Sequence, residues 1–129
     1  MPEKATMERA RADLKEGKSP STAAGEFVHE EIEHIREGKH GARSPEQAIA
    51  IGLSKARRAG VPLPPPAKGK TKESTRKSAE RDLRKGQTGD SETSAKRSRS
   101  RVAALKKETK LSASRQALSS HAKRAAKSR

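Results

Sequence analysis

Apolar residues recur at helical spacing in three stretches of the first sixty residues and thin out sharply after them. Met7, Ala10 and Leu14 stand at i, i+3 and i+7, which predicts a helix over about residues 7–16, with Thr6 as its N-cap and Gly17 as its stop. Ser19 and Pro20 restart the chain, because serine accepts from the free first-turn amides and proline is tolerated at the first helical position. The helix predicted over 20–37 carries Ala24, Phe27, Val28, Ile32 and Ile35 on one face. Glu26, Glu30, Glu33 and Glu37 line the opposite, solvent-facing side, and Gly38 ends the helix. Ser44, Pro45 and Gln47 then supply a cap, a first-turn proline and a capping-box glutamine for a third helix over 45–59. That helix turns Ala48, Ile49, Gly52, Leu53 and Ala56 inward, and Gly60 stops it. The expected core is Met7, Leu14, Phe27, Val28, Ile32, Ile35, Ile49, Leu53 and Val61, with Gly52 and the alanines allowing a close helix contact.

Past Gly60 the pattern changes. Pro62, Pro64, Pro65 and Pro66 read as a stiff hinge. Residues 67–129 are rich in Lys, Arg, Ser and Thr, which predicts solvated chain with only marginal helices around 79–85, 102–107 and 114–127. An echo crosses this boundary at one offset: ARADLKEG from Ala10 resembles AERDLRKG from Ala79, and Gln47-Ala48-Ile49 resembles Gln116-Ala117-Leu118, each 69 residues on. An internal duplication gives such an echo, and so does coincidence in an Ala/Lys/Arg-rich chain. The expected architecture is therefore all-α: a small three-helix domain over 1–61, a proline hinge over 62–66, and a largely disordered basic tail over 67–129.

Composition sharpens this picture. Hydrophobic residues are 29% of the chain against a usual ~45–50%, and aromatics are 1%, so a large core is excluded. The net charge of +15 is divided very unevenly. Residues 1–66 hold 11 Lys/Arg and 10 Asp/Glu, while residues 67–129 hold 20 and 6. A segment so rich in cations repels itself and attracts polyanions, of which nucleic acid is the commonest in a cell. Without aromatic stackers it should grip phosphates rather than read bases.

The residues assigned to such contact are Lys39, His40 and Arg43 in the glycine loop beside the third helix's N-terminus, Lys55, Arg57 and Arg58 in its last turn, and Lys96, Arg97, Arg99, Arg101, Lys106, Lys107, Lys123, Arg124 and Lys127 in the tail. The acidic stripe of the second helix offers the tail an alternative docking face. DNA is favoured over RNA, self-association would help complete so small a core, and a protein-interaction or stress-adaptor role for the helical domain, or ribosome association, is the competing reading.

Other chemistry is weaker. Glu26/His29 and Glu31/His34 are Glu-x-x-His pairs, but they share one helix and read as a solvated face, so no metal or other cofactor is expected. Gly69-Lys70-Thr71 lacks the upstream glycine and strand of a phosphate-binding loop. No nucleophile sits in an apolar setting that would tune it, which points away from an enzyme and a small-molecule substrate. Cysteine is absent, and neither a signal peptide nor an apolar run of spanning length is visible, so the expected location is the cytoplasm.

The core GKHGARS with QAIAIGLSKARRAG, flanked by KSPSTAAGEFV and TRKSAERD, resembles an uncharacterised bacterial family of small basic proteins catalogued as a domain of unknown function. That resemblance implies a bacterial, cytoplasmic protein. Some members carry plasmid-stabilisation or DNA-binding labels, and no catalytic or binding residues carry over. Together with the charge it leads to an expectation of a non-enzymatic, nucleoid-associated DNA-binding protein.

Overall fold

Three glycines set the chain's first reversals. Gly17, Gly38 and Gly60 have φ of 82°, 81° and 106°, the left-handed region that L side chains rarely adopt. Each closes a helix by the same pair of backbone bonds. At Gly38, its own amide donates to Ile35 O and that of Lys39 to His34 O; at Gly60 the acceptors are Arg57 O and, for Val61, Ala56 O. The computed structural model describes residues 4–88 and 95–127, and every α-helix or 3-10 turn among them is accounted for by seven segments. They are α1 (Lys4–Lys15), α2 (Pro20–Arg36), α3 (Pro45–Arg58), α4 (Glu73–Thr88), α5 (Ala95–Lys106), a 3-10 turn (Leu111–Ala113) and α6 (Arg115–Lys127). No strand occurs among the described residues. The all-α expectation is borne out, and no helix among these residues is long and apolar enough to cross a membrane.

The predicted starts of α2 and α3 are present in detail. Ser19 Oγ accepts from Thr22 N at 3.3 Å, and Ser44 Oγ accepts from Gln47 N at 3.2 Å while Gln47 Oε1 accepts from Arg43 N at 2.6 Å. Thr6 departs from its expected role. The first helix already includes Lys4, and Thr6 is fully buried within it, donating to Glu30 Oε1 at 3.0 Å.

The chain forms two compact units, Met1–Glu30 with Gly52–Glu92 and Glu31–Ile51 with Thr93–Arg129. In the first unit, Phe27 packs with Ala10, Ala23, Ala24, Ala56, Val61 and Leu63, bordered by Met7, Leu14, Leu53 and Ala59. Burying one phenylalanine contributes about 3 kcal/mol, more than any of the alanines beside it. Gly52 lies where a Cβ would come within 2.6 Å of Val28 Cα, so the close contact foreseen at that glycine is present. In the second unit the core is Ile35, Ala42, Ala48 and Ala113, with Ile32 against it.

The largest departure concerns residues 67–129, expected to be mostly solvated chain. Among the described residues they form α4, α5, the 3-10 turn and α6, with the three α-helices overlapping the places where marginal helices were expected; residues 89–94 and 128–129 of the expected solvated run lie outside the described residues. The docking of these elements uses small residues and polar bonds rather than large apolar side chains. In the first unit Ala79 is buried, Asp82 accepts from Ser54 Oγ at 2.6 Å, and Gly86 sits against the carbonyl of Arg57 with no room for a Cβ. The proline stretch is tied down as well. Leu63 is buried, and the Arg57 guanidinium donates to Leu63 O at 3.2 Å and to Pro64 O at 3.0 Å.

The echo at 69 residues has a counterpart in burial. Ala10 and Ala79, counterparts at that offset, are both buried.

Candidate functional site

The loop GKHGARS between α2 and α3 is the centre of the second unit. Gly41 N donates to Leu105 O at 2.8 Å, which also accepts from Glu108 N, and Ala42 N donates to Thr109 O at 2.9 Å, so the loop is tied to the last turn of α5 and to the segment just beyond it. A Cβ at Gly41 would run into the Glu108 carbonyl, which is why glycine stands there. Arg36 Nε donates to Ala113 O at 3.0 Å and holds the 3-10 turn. Across the start of α3, Glu46 accepts from His121 Nδ1 at 2.9 Å and from Arg124 at 3.2 Å. The His121 hydrogen bond, with further help from Glu46's own backbone amide and from Arg124, lowers the Glu46 carboxyl from 4.5 to about 2.

These contacts engage much of the glycine loop that was expected to hold phosphate. Its amides at Gly41 and Ala42 are committed to α5, and the head of α3 is already faced by its own serine cap and by Glu46. His40 is turned inward with its side chain only 10% exposed, while Lys39 and Arg43 stay on the surface. Of the residues assigned to polyanions, Arg57 is also turned inward: it is 7% exposed and its donors serve two backbone carbonyls. Burial pushes its pKa below the usual guanidinium value, with Asp82 opposing. Lys55 and Arg58 are half-buried, and Arg58 Nε lies 3.8 Å from Asp82.

The cations of the C-terminal helices are placed differently. Lys96, Arg97, Arg99, Arg101, Lys106 and Lys107 are all exposed, on and just beyond α5, and so are Lys123, Arg124 and Lys127 on α6. Of residues 96–110 only Leu105 is partly covered, so α5 presents its charge to solvent nearly all round.

Among the described residues, the acids of the α2 stripe pair with nearby groups. Glu26 meets Arg9 at 3.1 Å, Glu33 meets Arg36 at 3.3 Å, Glu37 meets Lys39 at 3.4 Å, and Glu30 is buried against Thr6. Glu46 engages the C-terminal helix.

The Glu31/His34 pair is not a solvated face. The Glu31 side chain is 0% exposed and that of His34 13%. His40 Nε2 lies 3.1 Å from Glu31 Oε2, and His34 Nδ1 lies 3.9 Å from Glu31 Oε1. The two imidazoles meet edge to face with centroids 6.3 Å apart. The pattern that could have revealed this is the stop at Gly38, which turns the chain back along α2 so that a residue two positions later lies over the last turns of the helix.

A hollow of about 150 Å3 in the first unit, lined by Met7, Ala10, Arg11, Leu14, Phe27, Ala59, Gly60 and Val61, is smaller than the ~300–1,000 Å3 clefts that hold small-molecule ligands. Comparison of the chain with protein-family models, with curated proteins and with solved structures found no match in any of the three.

Proposed function

We propose that the protein is a non-enzymatic, sequence-independent nucleic-acid-binding protein, with DNA its preferred polyanion and a bacterial nucleoid its setting. The observation that supports this reading most directly is the exposed run of cations on α5. Lys96 to Arg101 on α5 are all Lys, Arg or Ser, and such a stretch gains little from packing against its own chain. It is suited instead to lie along a phosphate backbone, where each neutralised phosphate releases counterions. The cations of α6 extend the same charge, and the absence of tyrosine and tryptophan argues against base stacking as the source of affinity.

The test compares the full chain with a K96Q/R97Q/R99Q/R101Q variant and a charge-matched R11Q/K15Q/K68Q/K70Q control, whose substituted residues are also exposed. Binding to duplexes of unrelated sequence is followed across a salt series. Loss of four phosphate contacts should flatten the slope of log K against log salt by roughly 3 to 4 in the α5 variant. The control should change it far less. Equal slopes in both variants would mean that net charge alone drives association. No binding by the full chain at physiological salt would favour the protein-interaction reading, for which exposed Leu111 and Val102 on the same region are the natural contacts.

A further inference from the structure

We infer that Glu31, His34 and His40 form a binding site for a divalent transition-metal ion of the zinc class, which would pin the GKHGARS loop to α2. One ligand atom from each of these residues lies within 4.8 Å of the other two, and the carboxylate among them is fully buried. His40 carries the chemical argument. Its Nδ1 is 2.9 Å from Gly41 O. A carbonyl can only accept, so the ring hydrogen is assigned to Nδ1. The lone pair of Nε2 then points at Glu31 Oε2, another acceptor, only 3.1 Å away. Two lone pairs do not face each other at that distance without a centre between them, either a proton, borne by the ring or by the buried carboxyl, or a metal ion.

The spacing suits the ion. Ligands held ~2.0–2.1 Å from a tetrahedral zinc stand about 3.4 Å apart; His40 Nε2 lies 3.1 Å from Glu31 Oε2 and His34 Nδ1 lies 3.9 Å from Glu31 Oε1, one carboxylate oxygen facing each ring. One ligand atom from each of the three residues lies within 4.8 Å of the others, so small side-chain adjustments would bring the set onto one ion. A metal-bound histidine normally donates its other N–H to a carbonyl or carboxylate, and His40 already does so to Gly41. Two imidazoles and one carboxylate, with no thiolate anywhere in the chain, select borderline ions such as Zn2+ over soft ones. Three protein ligands leave a fourth position for water.

The consequence reaches α5. The loop that His40 anchors is the one whose Gly41 and Ala42 amides hold the end of that helix. An occupied site would therefore order the segment carrying the cations. This goes beyond the nucleic-acid reading and does not depend on it.

The experiment titrates Zn2+ into the full chain at neutral pH against a chromophoric chelator, and records the visible spectrum with Co2+ in its place. A single ion should bind, with the intense Co2+ absorption of a tetrahedral site. His34→Ala and His40→Ala should each weaken affinity by at least ~10-fold, the lower bound for losing even a supporting residue of a metal site. His29→Ala, an exposed histidine on the same helix, should leave it unchanged. Zn2+ should also slow hydrogen exchange at Gly41 and Ala42. Helicity of every variant is checked by circular dichroism, and if His40→Ala unfolds, His34→Ala decides. Failure of the full chain to compete with the chelator would overturn the site. So would affinity unchanged in both His34→Ala and His40→Ala, or lost equally in His29→Ala.

Discussion

The two units of this small chain are stabilised in different ways. Met1–Glu30 with Gly52–Glu92 has 16 Lys/Arg against 11 Asp/Glu, and its core contains Phe27, Val61 and Leu63. Glu31–Ile51 with Thr93–Arg129 has 15 against 5, and the bulkiest member of its buried cluster is Ile35, the rest being alanines. The second unit has less apolar surface to bury and more like charge to hold together. It relies on fixed polar ties: amides of Gly41 and Ala42 to the end of α5, Arg36 to Ala113, and His121 and Arg124 to Glu46. Like-charge repulsion within a fold is relieved by a polyanion, so on the proposed reading the second unit would gain more than the first from nucleic acid.

Substitutions can separate the two modes of stabilisation, and the largest effect is expected at the apolar core. Phe27→Ala should cost about 3–5 kcal/mol, because it removes the only large aromatic side chain and leaves a cavity among alanines that cannot collapse to fill it. Denaturant unfolding gives the magnitude. Hydrogen exchange should show the loss first at amides around Ala10 and Ala24. Gly41→Ala probes the second unit: its methyl group would meet the Glu108 carbonyl, and the strain should cost about 2–3 kcal/mol. Exchange should then rise at Ala42 and at Glu108, whose amide donates to Leu105 O at 3.0 Å. If Gly41→Ala leaves these protected, the loop does not hold α5.

A smaller effect, about 1 kcal/mol, is expected from Ser44→Ala, which leaves the Gln47 amide without its cap. The smallest concerns acid. The folded-state pKa of Glu46 is depressed from 4.5 to about 2, so its stabilisation is complete above about pH 4.5 and disappears as pH falls through about 2. The carboxyl side chain is half exposed, which keeps the effect below ~1 kcal/mol and makes it sensitive to salt. Glu46→Gln should flatten the acid limb of a stability-versus-pH curve by that small amount, and raising the salt should reproduce much of the change in the unmodified chain.

How much of this was legible in the sequence depended on whether a feature was local. The starts at Ser19 and Ser44 and the stops at Gly17, Gly38 and Gly60 follow from a few neighbouring residues, and all are present. Periodicity also located Phe27, Ile35 and Val61 in the core. Thr6 looked like a cap because a helix start is a local signal, but a buried glutamate 24 residues away claimed its hydroxyl.

The extent of the helices within residues 67–129 was hidden for a similar reason. A count of Leu, Ile and Val cannot register docking by Ala79, Gly86 and Asp82, whose value lies in small size and in one aspartate meeting Ser54. Charge type was readable at every position, but not its use. Arg57 and Arg58 are adjacent to each other in a basic run, yet Arg57 faces inward to two carbonyls while Lys96 and Arg99 remain on the surface. Glu31, His34 and His40 came together only through the reversal at Gly38.

The direct test of the central claim is the salt dependence of duplex binding by the full chain, set beside that of the K96Q/R97Q/R99Q/R101Q variant. A steep, sequence-independent slope that falls by roughly 3 to 4 in the variant and hardly at all in R11Q/K15Q/K68Q/K70Q is the expected result. Identical slopes for the two variants, or no binding by the full chain at physiological salt, would contradict a role for the α5 cations in gripping phosphate.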